Sequence, residues 1–280
     1  MTYLGPSETD VELPAERAEE TGKSLFDRYL TWITTPLLII CFLGLWKLYV
    51  VVLKVSPFML PTPEAVGRSL VSMLQTGYFW EHLSITVSEI LSGFAIAVFV
   101  GAALGVLLGK SRLFERIAAP FIIASQVTPK VALMPLFLLW MGFGIQSKIA
   151  MVALLSFFPI MKATILGVRS IAGDQRDLFT IIGASGWKRV WSLEIPAVLP
   201  YLLTGIETAS VLAVTGAIIG EYLGGNQGIG ALVVITLNAM RIEQMFATIV
   251  ALAAFGFVFY GAIASLRRFA VPWHESASLN

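Results

Sequence analysis

Six ionisable residues stand inside long apolar stretches: Lys47, Glu89, Lys130, Lys162, Glu207 and Glu221. A charge held in such surroundings is costly, and it commonly marks a passage for solute or a buried ion pair. Lys130 follows Pro129, where a broken helix would free carbonyl groups beside a cation. With Gln126, Thr128 and Ser125 within about a turn, it could line a route for a solute bearing negative charge or a polar ring. The competing expectation is a salt bridge from Lys130 to Glu221 or Glu207. Glu221 precedes a glycine cluster and is expected as a gate residue on the same route. Lys47 and Lys162 can extend to an interface, and Glu89 and Glu207 fit paired structural charges.

Other local patterns fail as chemistry. Leu104 to Ser111 reads LGVLLGKS, but a phosphate loop needs glycine at the position of Leu104, placed between a strand and a helix. GASG at 183–186 lacks the spacing of a nucleophile elbow, and neither His82 nor His274 has a matching serine and acid. One cysteine, Cys41, and two histidines supply no disulfide framework or metal cluster. No catalytic residue and no cofactor are expected in this chain, so any energy must come from another polypeptide. A nucleic-acid partner is not expected either.

The elements that must position these residues are legible in composition. The chain is 57% hydrophobic and 13% charged, with a mean hydropathy of +0.81, against about a quarter charged in a soluble domain. This predicts an all-α polytopic membrane protein. Spans need about 20 apolar residues, and candidates fall at 33–54, 84–109, 115–140, 149–168, 197–222 and 245–266. The third is interrupted by Thr128-Pro129-Lys130 and counts as one broken span, giving about six. Residues 1–30 carry seven acids and three bases and read as a polar cytoplasmic tail without signal-peptide features. Residues 31–270 form the membrane domain, and 271–280 a second cytoplasmic tail.

With the amino terminus inside, one side collects Lys23, Arg28, Lys110, Arg112, Arg116, Arg169, Arg176, Lys188, Arg189, Arg267 and Arg268. The other side has Lys54, Arg68, Lys148 and Arg241. That bias sets the expected topology, a multi-pass membrane protein with a cytoplasmic amino terminus. Residues 56–83 predict a short amphipathic helix after a proline-rich start. Gly224, Gly225, Gly228 and Gly230 predict a break beside the membrane. Gly101, Gly105 and Gly109 form a flat ridge, as do Gly216, Gly220 and Gly224, for packing within the chain or along a homodimer seam.

Between the fourth and fifth spans, the loop 169–196 is far from featureless. Leu178, Ile181 and Ile182 share one helical face, continued by Ser185, and Trp187, Val190 and Trp191 make a second patch at i, i+3, i+4. The pattern predicts two short helices around Gly183–Gly186, with Pro196 ending the second before the next span. Such a unit could lie in the membrane interface, or dock in a partner's groove and carry force into the spans.

Here a resemblance adds to the residues. The spacing of Asp177, Gly183, Leu193, Ile195 and Pro196 resembles the coupling motif of ABC importer permeases, which reads Glu-Ala-Ala, then glycine, then a hydrophobic-x-Leu-Pro ending. PKVALMPLFLLWMGFG (129–144), GASGWKRVWSLEIPAVLP (183–200), GEYLGGNQGIGALV (220–233) and PWHE (272–275) resemble the branch for nitrate, sulfonates, taurine and thiamine-type pyrimidines. The similarity covers roughly 30–275. It implies a type I importer permease fold and, as partners, a permease homodimer in the lipid bilayer, an extracytoplasmic solute-binding protein and two ATPase subunits that hold ATP and Mg. Asp177, Leu178, Phe179, Gly183, Ala184, Ser185, Trp187 and Pro196 would then receive the ATPase. The departure is Asp-Leu-Phe at 177–179 where the family has Glu-Ala-Ala: the carboxylate stays, but two bulky groups replace two methyls. A self-powered carrier or channel and a membrane scaffold are the competing classes. The first commonly shows internal repeats and has no use for a structured cytoplasmic loop.

Overall fold

The computed structural model describes residues 14–271, with side chains from residue 33 onward. Residues 1–13 and 272–280 lie outside it, and with them parts of both expected tails, His274 and the PWHE motif. The described residues form helices and connecting turns, without a strand.

The first unit ends at Glu64. Its helix α1 (Pro14–Val52) begins within the acidic tail, and its Ile33–Val52 part is long and apolar enough to cross a membrane. Ile33, Leu37, Leu38 and Ile40 are exposed around its circumference, which suits a lipid environment rather than water. Lys47 forms an ion pair with Glu64. That ammonium holds the exposed Glu64 carboxyl below the usual carboxylate range.

The second unit begins at Ala65, inside the short amphipathic helix α2 (Pro63–Leu74). Spanning helices α3 (Gly77–Lys110), α6 (Ile145–Arg169), α9 (Ile195–Gly224) and α11 (Ile242–Ala270) follow. Between α3 and α6 lie α4 (Arg112–Val127), a 3-10 turn (Lys130–Leu133) and α5 (Met134–Met141), bent by 91° where Thr128-Pro129 interrupts the expected third span. Five helices are therefore long enough to cross a membrane, or six if the bent pair counts as one. The loop between α6 and α9 holds α7 (Gly173–Ile181) and α8 (Gly186–Arg189), and α10 (Ile229–Asn238) follows α9.

Helix α6 lies between α3 and α9, and glycines allow the approach. A Cβ at Gly93 would stand 2.6 Å from Val152 Cβ, at Gly105 2.5 Å from Thr164 Cβ, and at Gly109 2.8 Å from Val168 Cβ. On the other side, a Cβ at Gly205 would meet Ala163 Cβ at 2.5 Å, and one at Gly216 would meet Val152 Cα at 2.9 Å. Both glycine ridges therefore face neighbours within the chain, where small residues let backbones close up. The core they shape contains Ile90, Phe94, Ala97, Val152, Ile160 and Ala213, with Phe255 and Phe259 of α11 packed against it. Large apolar side chains such as Phe99, Leu139, Phe257 and Phe269 point outward instead, as helices dissolved in lipid require.

One expectation is corrected. Pro196 does not end a helix: Gly186–Gly224 runs as one helical stretch, with Pro196 in the first turn of α9. Residues Val190–Glu194 widen into a π turn, and Ile195 donates its amide to Val190 five residues back. A proline lacks the amide that an α-helix would use, and the widened turn together with the first-turn position absorbs it.

Candidate functional site

The segment expected to transmit force presents its apolar groups outward. In α7, Leu178 is 54% exposed and Ile181 82%; Ile182 follows at 57%, and in α8 Trp187 reaches 73%. Asp177 is exposed beside them, whereas Phe179 is half-buried. Short helices with large uncovered side chains, flanked by Lys188 and Arg189, have little reason to form in water alone. Gly183 has φ +62° and supplies the bend between them, a conformation that glycine adopts without steric cost. Ser185 caps α8, its Oγ accepting from the Lys188 amide at 3.3 Å. Ala184 is half-buried and Pro196 exposed. Trp187 and Trp191 lie 5.6 Å apart by ring centroid.

This segment is tied mechanically to the spans. Through the π turn α8 is continuous with α9. Glu194 also receives Lys110, the last residue of α3, at 2.6 Å, and Arg189 stands 3.7 Å from the same carboxylate. Helix α8 is therefore joined to two spanning helices, to α9 by the chain and to α3 through Lys110.

The residues expected along a pathway do not form one cluster. Lys130 is half-buried in the 3-10 turn, its ammonium 5.2 Å from the Phe158 ring centroid, a favourable cation–π placement. It makes an ion pair with neither Glu221 nor Glu207. Gln126 accepts from Lys162 Nζ at 2.5 Å, and the Thr128 hydroxyl turns back to the Ala124 carbonyl. Gln126 and Thr128 are exposed. Glu221 lies elsewhere and is fully buried.

What surrounds Glu221 is the least legible part of the sequence. Its Oε1 accepts from the Thr86 hydroxyl at 2.5 Å, and its Oε2 from the Gly230 amide at 2.6 Å. The Thr86 oxygen in turn accepts from the Ile229 amide at 2.8 Å. The first amides of α10 thus point at Thr86 and the carboxylate, the end of a helix that favours negative charge. The loop must wrap closely: a Cβ on Gly228 would overlap the Glu221 carboxylate, and Gly228 has φ +103°. Lys148 completes the cluster, 3.2 Å from Glu89 Oε1 and donating to the Gln227 carbonyl at 3.1 Å. His82 meets the Gly228 carbonyl at 2.8 Å through Nδ1, so that nitrogen must carry a proton and donate it. Glu207, by contrast, is held by Arg267 at 2.6 Å and Tyr260 at 2.7 Å. Among the described residues no cluster could hold a metal.

A bundle of lipid-compatible spans around a polar, charge-bearing interior, with an outward-facing helical loop, defines an all-α polytopic membrane permease. Residues 97–270 match the family model described as binding-protein-dependent transport system inner membrane component. The chain belongs to that family, and it is an ABC importer permease. It is 33% identical to the riboflavin transport system permease protein of Chloroflexus aurantiacus, over 94% of this chain and 98% of the relative. It is 34% identical to the formylaminopyrimidine transport permease protein of Halalkalibacterium halodurans, over 79% and 88%. A putative aliphatic sulfonates transport permease protein of Bacillus subtilis is 26% identical over 94% and 96%.

Proposed function

We propose that this chain is the membrane subunit of an importer that takes a small solute from an extracytoplasmic binding protein into the cytoplasm. A separate ATPase drives it, docked on the segment 177–196, and two permease chains form the pathway with their amino termini in the cytoplasm of a bacterial inner membrane. The observation that carries this reading is the exposed apolar surface of Leu178, Ile181, Ile182 and Trp187, whose α8 part runs on into α9 and is linked to α3 through Glu194 and Lys110. A self-powered carrier has no use for such a surface.

ATP and Mg belong to the partner in this scheme. Nucleotide-driven closure of two ATPases would press on α7 and α8, and the helices would carry the movement to the bundle. Replacing Gly183 with proline forbids the positive φ, and Asp177→Arg reverses a charge on the docking face. Both variants are expected to assemble in the membrane but lose solute-stimulated ATP hydrolysis and uptake in proteoliposomes. Normal stimulated hydrolysis in both would remove the docking assignment.

For the solute, a heteroaromatic compound is favoured over a sulfonate. The riboflavin and formylaminopyrimidine relatives are 33% and 34% identical, over 94% and 79% of this chain, against 26% over 94% and 31% over 75% for two sulfonate relatives. Lys130, set over Phe158 at the kink, offers a cation to an electron-rich ring or to an anionic group carried on it. Lys130→Met is expected to reduce uptake at least severalfold without loss of assembly; unchanged uptake would take Lys130 out of the route. Glu221 would act by holding the 225–230 loop closed rather than by touching solute.

A further inference from the structure

Where α3, α4, α6 and α7 meet, two adjoining clefts of 510 and 440 Å³ share Lys110, Ile171 and Arg176. Their walls carry six cations: Lys110, Arg112, Arg116, Arg169, Arg176 and Arg189. Among the described residues, only two carboxylates line these walls, Glu115 and Glu194, leaving four positive charges in excess. Both carboxylates are already engaged, Glu115 by Arg169 and Glu194 by Lys110. Arg176 turns one guanidinium nitrogen to the Val168 carbonyl at 2.9 Å. Arg112 and Arg116 act on that same Glu115, which Arg169 already holds. Crowding so many guanidinium groups around a concave space stores repulsion, which a multiply accepting anion relieves.

The place of the clefts narrows the ligand. Lys110 ends α3 and Arg169 ends α6, so the clefts open at the level where spanning helices leave the hydrocarbon. Leu107, Leu113, Phe114, Ile117 and Leu166, within about a turn of the basic residues along α3, α4 and α6, are all exposed and suit acyl chains. Basic pockets among helix ends at the cytoplasmic side are matched in size and charge to phosphodiester headgroups. We infer that these clefts bind a phosphate group, supplied by the headgroup of an anionic phospholipid. The site lies beside α8, so an occupied cleft would brace Lys110 and Arg189 around Glu194, where the proposed coupling segment joins the bundle. The inference rests on the proposed topology only for which leaflet supplies the lipid.

The test uses the full chain, assembled with its ATPase, delipidated in neutral detergent, and measured without nucleotide so that coupling plays no part. Binding of short-chain phosphatidylglycerol and of phosphatidylcholine is compared for the native protein, Arg112→Gln/Arg116→Gln and Arg112→Lys/Arg116→Lys, with inorganic phosphate as competitor. Phosphatidylglycerol is expected to bind the native protein well above phosphatidylcholine, to weaken roughly thirtyfold in the glutamine pair, and to return in the lysine pair. Resistance to millimolar phosphate identifies the lipid as the source. Displacement by phosphate, or phosphate binding with the same arginine dependence, keeps the site and makes a free phosphate its ligand. Equal binding of both lipids with no phosphate binding overturns the inference. So does phosphatidylglycerol binding unaltered in the glutamine pair, or loss of the ATPase from that pair with lipid binding intact, which would make the clefts a protein contact.

Discussion

Lys148 is the residue on which the α10 end of the bundle depends. It is the ammonium that faces Glu89, its nitrogen also holds the 225–230 loop through Gln227, and Glu221 stands buried in the same cluster. Removing one partner of a buried pair leaves an uncompensated charge and costs about 3–5 kcal/mol. Lys148→Met is therefore expected to lower the melting temperature of the detergent-solubilised protein markedly. Pairing it with Glu89→Gln should recover part of the loss; a double variant as unstable as the sum would dissolve the proposed pair. The sequence reveals Glu89 and Glu221 as charges in apolar stretches but places Lys148 in a loop. Its hydropathy starts the span at residue 149, whereas α6 begins at Ile145. One turn of error at a helix end moves a loop charge into the core, and its partners lie too far along the chain for spacing to show.

At the level of elements, glycine spacing is the informative signal. The i, i+4 ridges predict close packing, and the partner is α6 on both sides except at Gly224, which meets Leu138 of α5. Gly105→Val would force a Cβ against Thr164 and the Met161 carbonyl; overpacking of this kind costs about 1–3 kcal/mol or more. The same assay should show a clear loss of thermal stability. Gly67→Ala in α2 meets nothing within 4 Å, and a helical alanine in open space should be neutral or stabilising by up to about 1 kcal/mol. If both substitutions shifted stability alike, the packing account of the ridges would be wrong. The bend at Gly183 is legible because a positive φ favours a residue that the sequence displays. Pro196 misleads, since a proline reads as a stop wherever the chain offers no sign of a π turn to accommodate it.

For the molecule as a whole, hydropathy makes five spans legible, because burial in lipid imposes composition on every residue of a helix. The expected third is a pair of helices that makes a sixth only if the bent pair counts as one. The break at Thr128-Pro129 is legible, but the size of its 91° bend and the seating of α10 against Thr86 are not, since both depend on tertiary contacts rather than on local pattern. The proposed mechanism turns on α7 and α8 serving as a handle for a separate nucleotide-driven subunit. The most direct measurement introduces Ile181→Cys as the single cysteine in a Cys41→Ser background and applies a short thiol-to-amine crosslinker to the complex in native membranes. The prediction is an adduct between this chain and the ATPase subunit, with the introduced thiol resistant to a membrane-impermeant reagent added outside. Labelling of that thiol from outside, or an assembled complex that yields no such adduct, would contradict it.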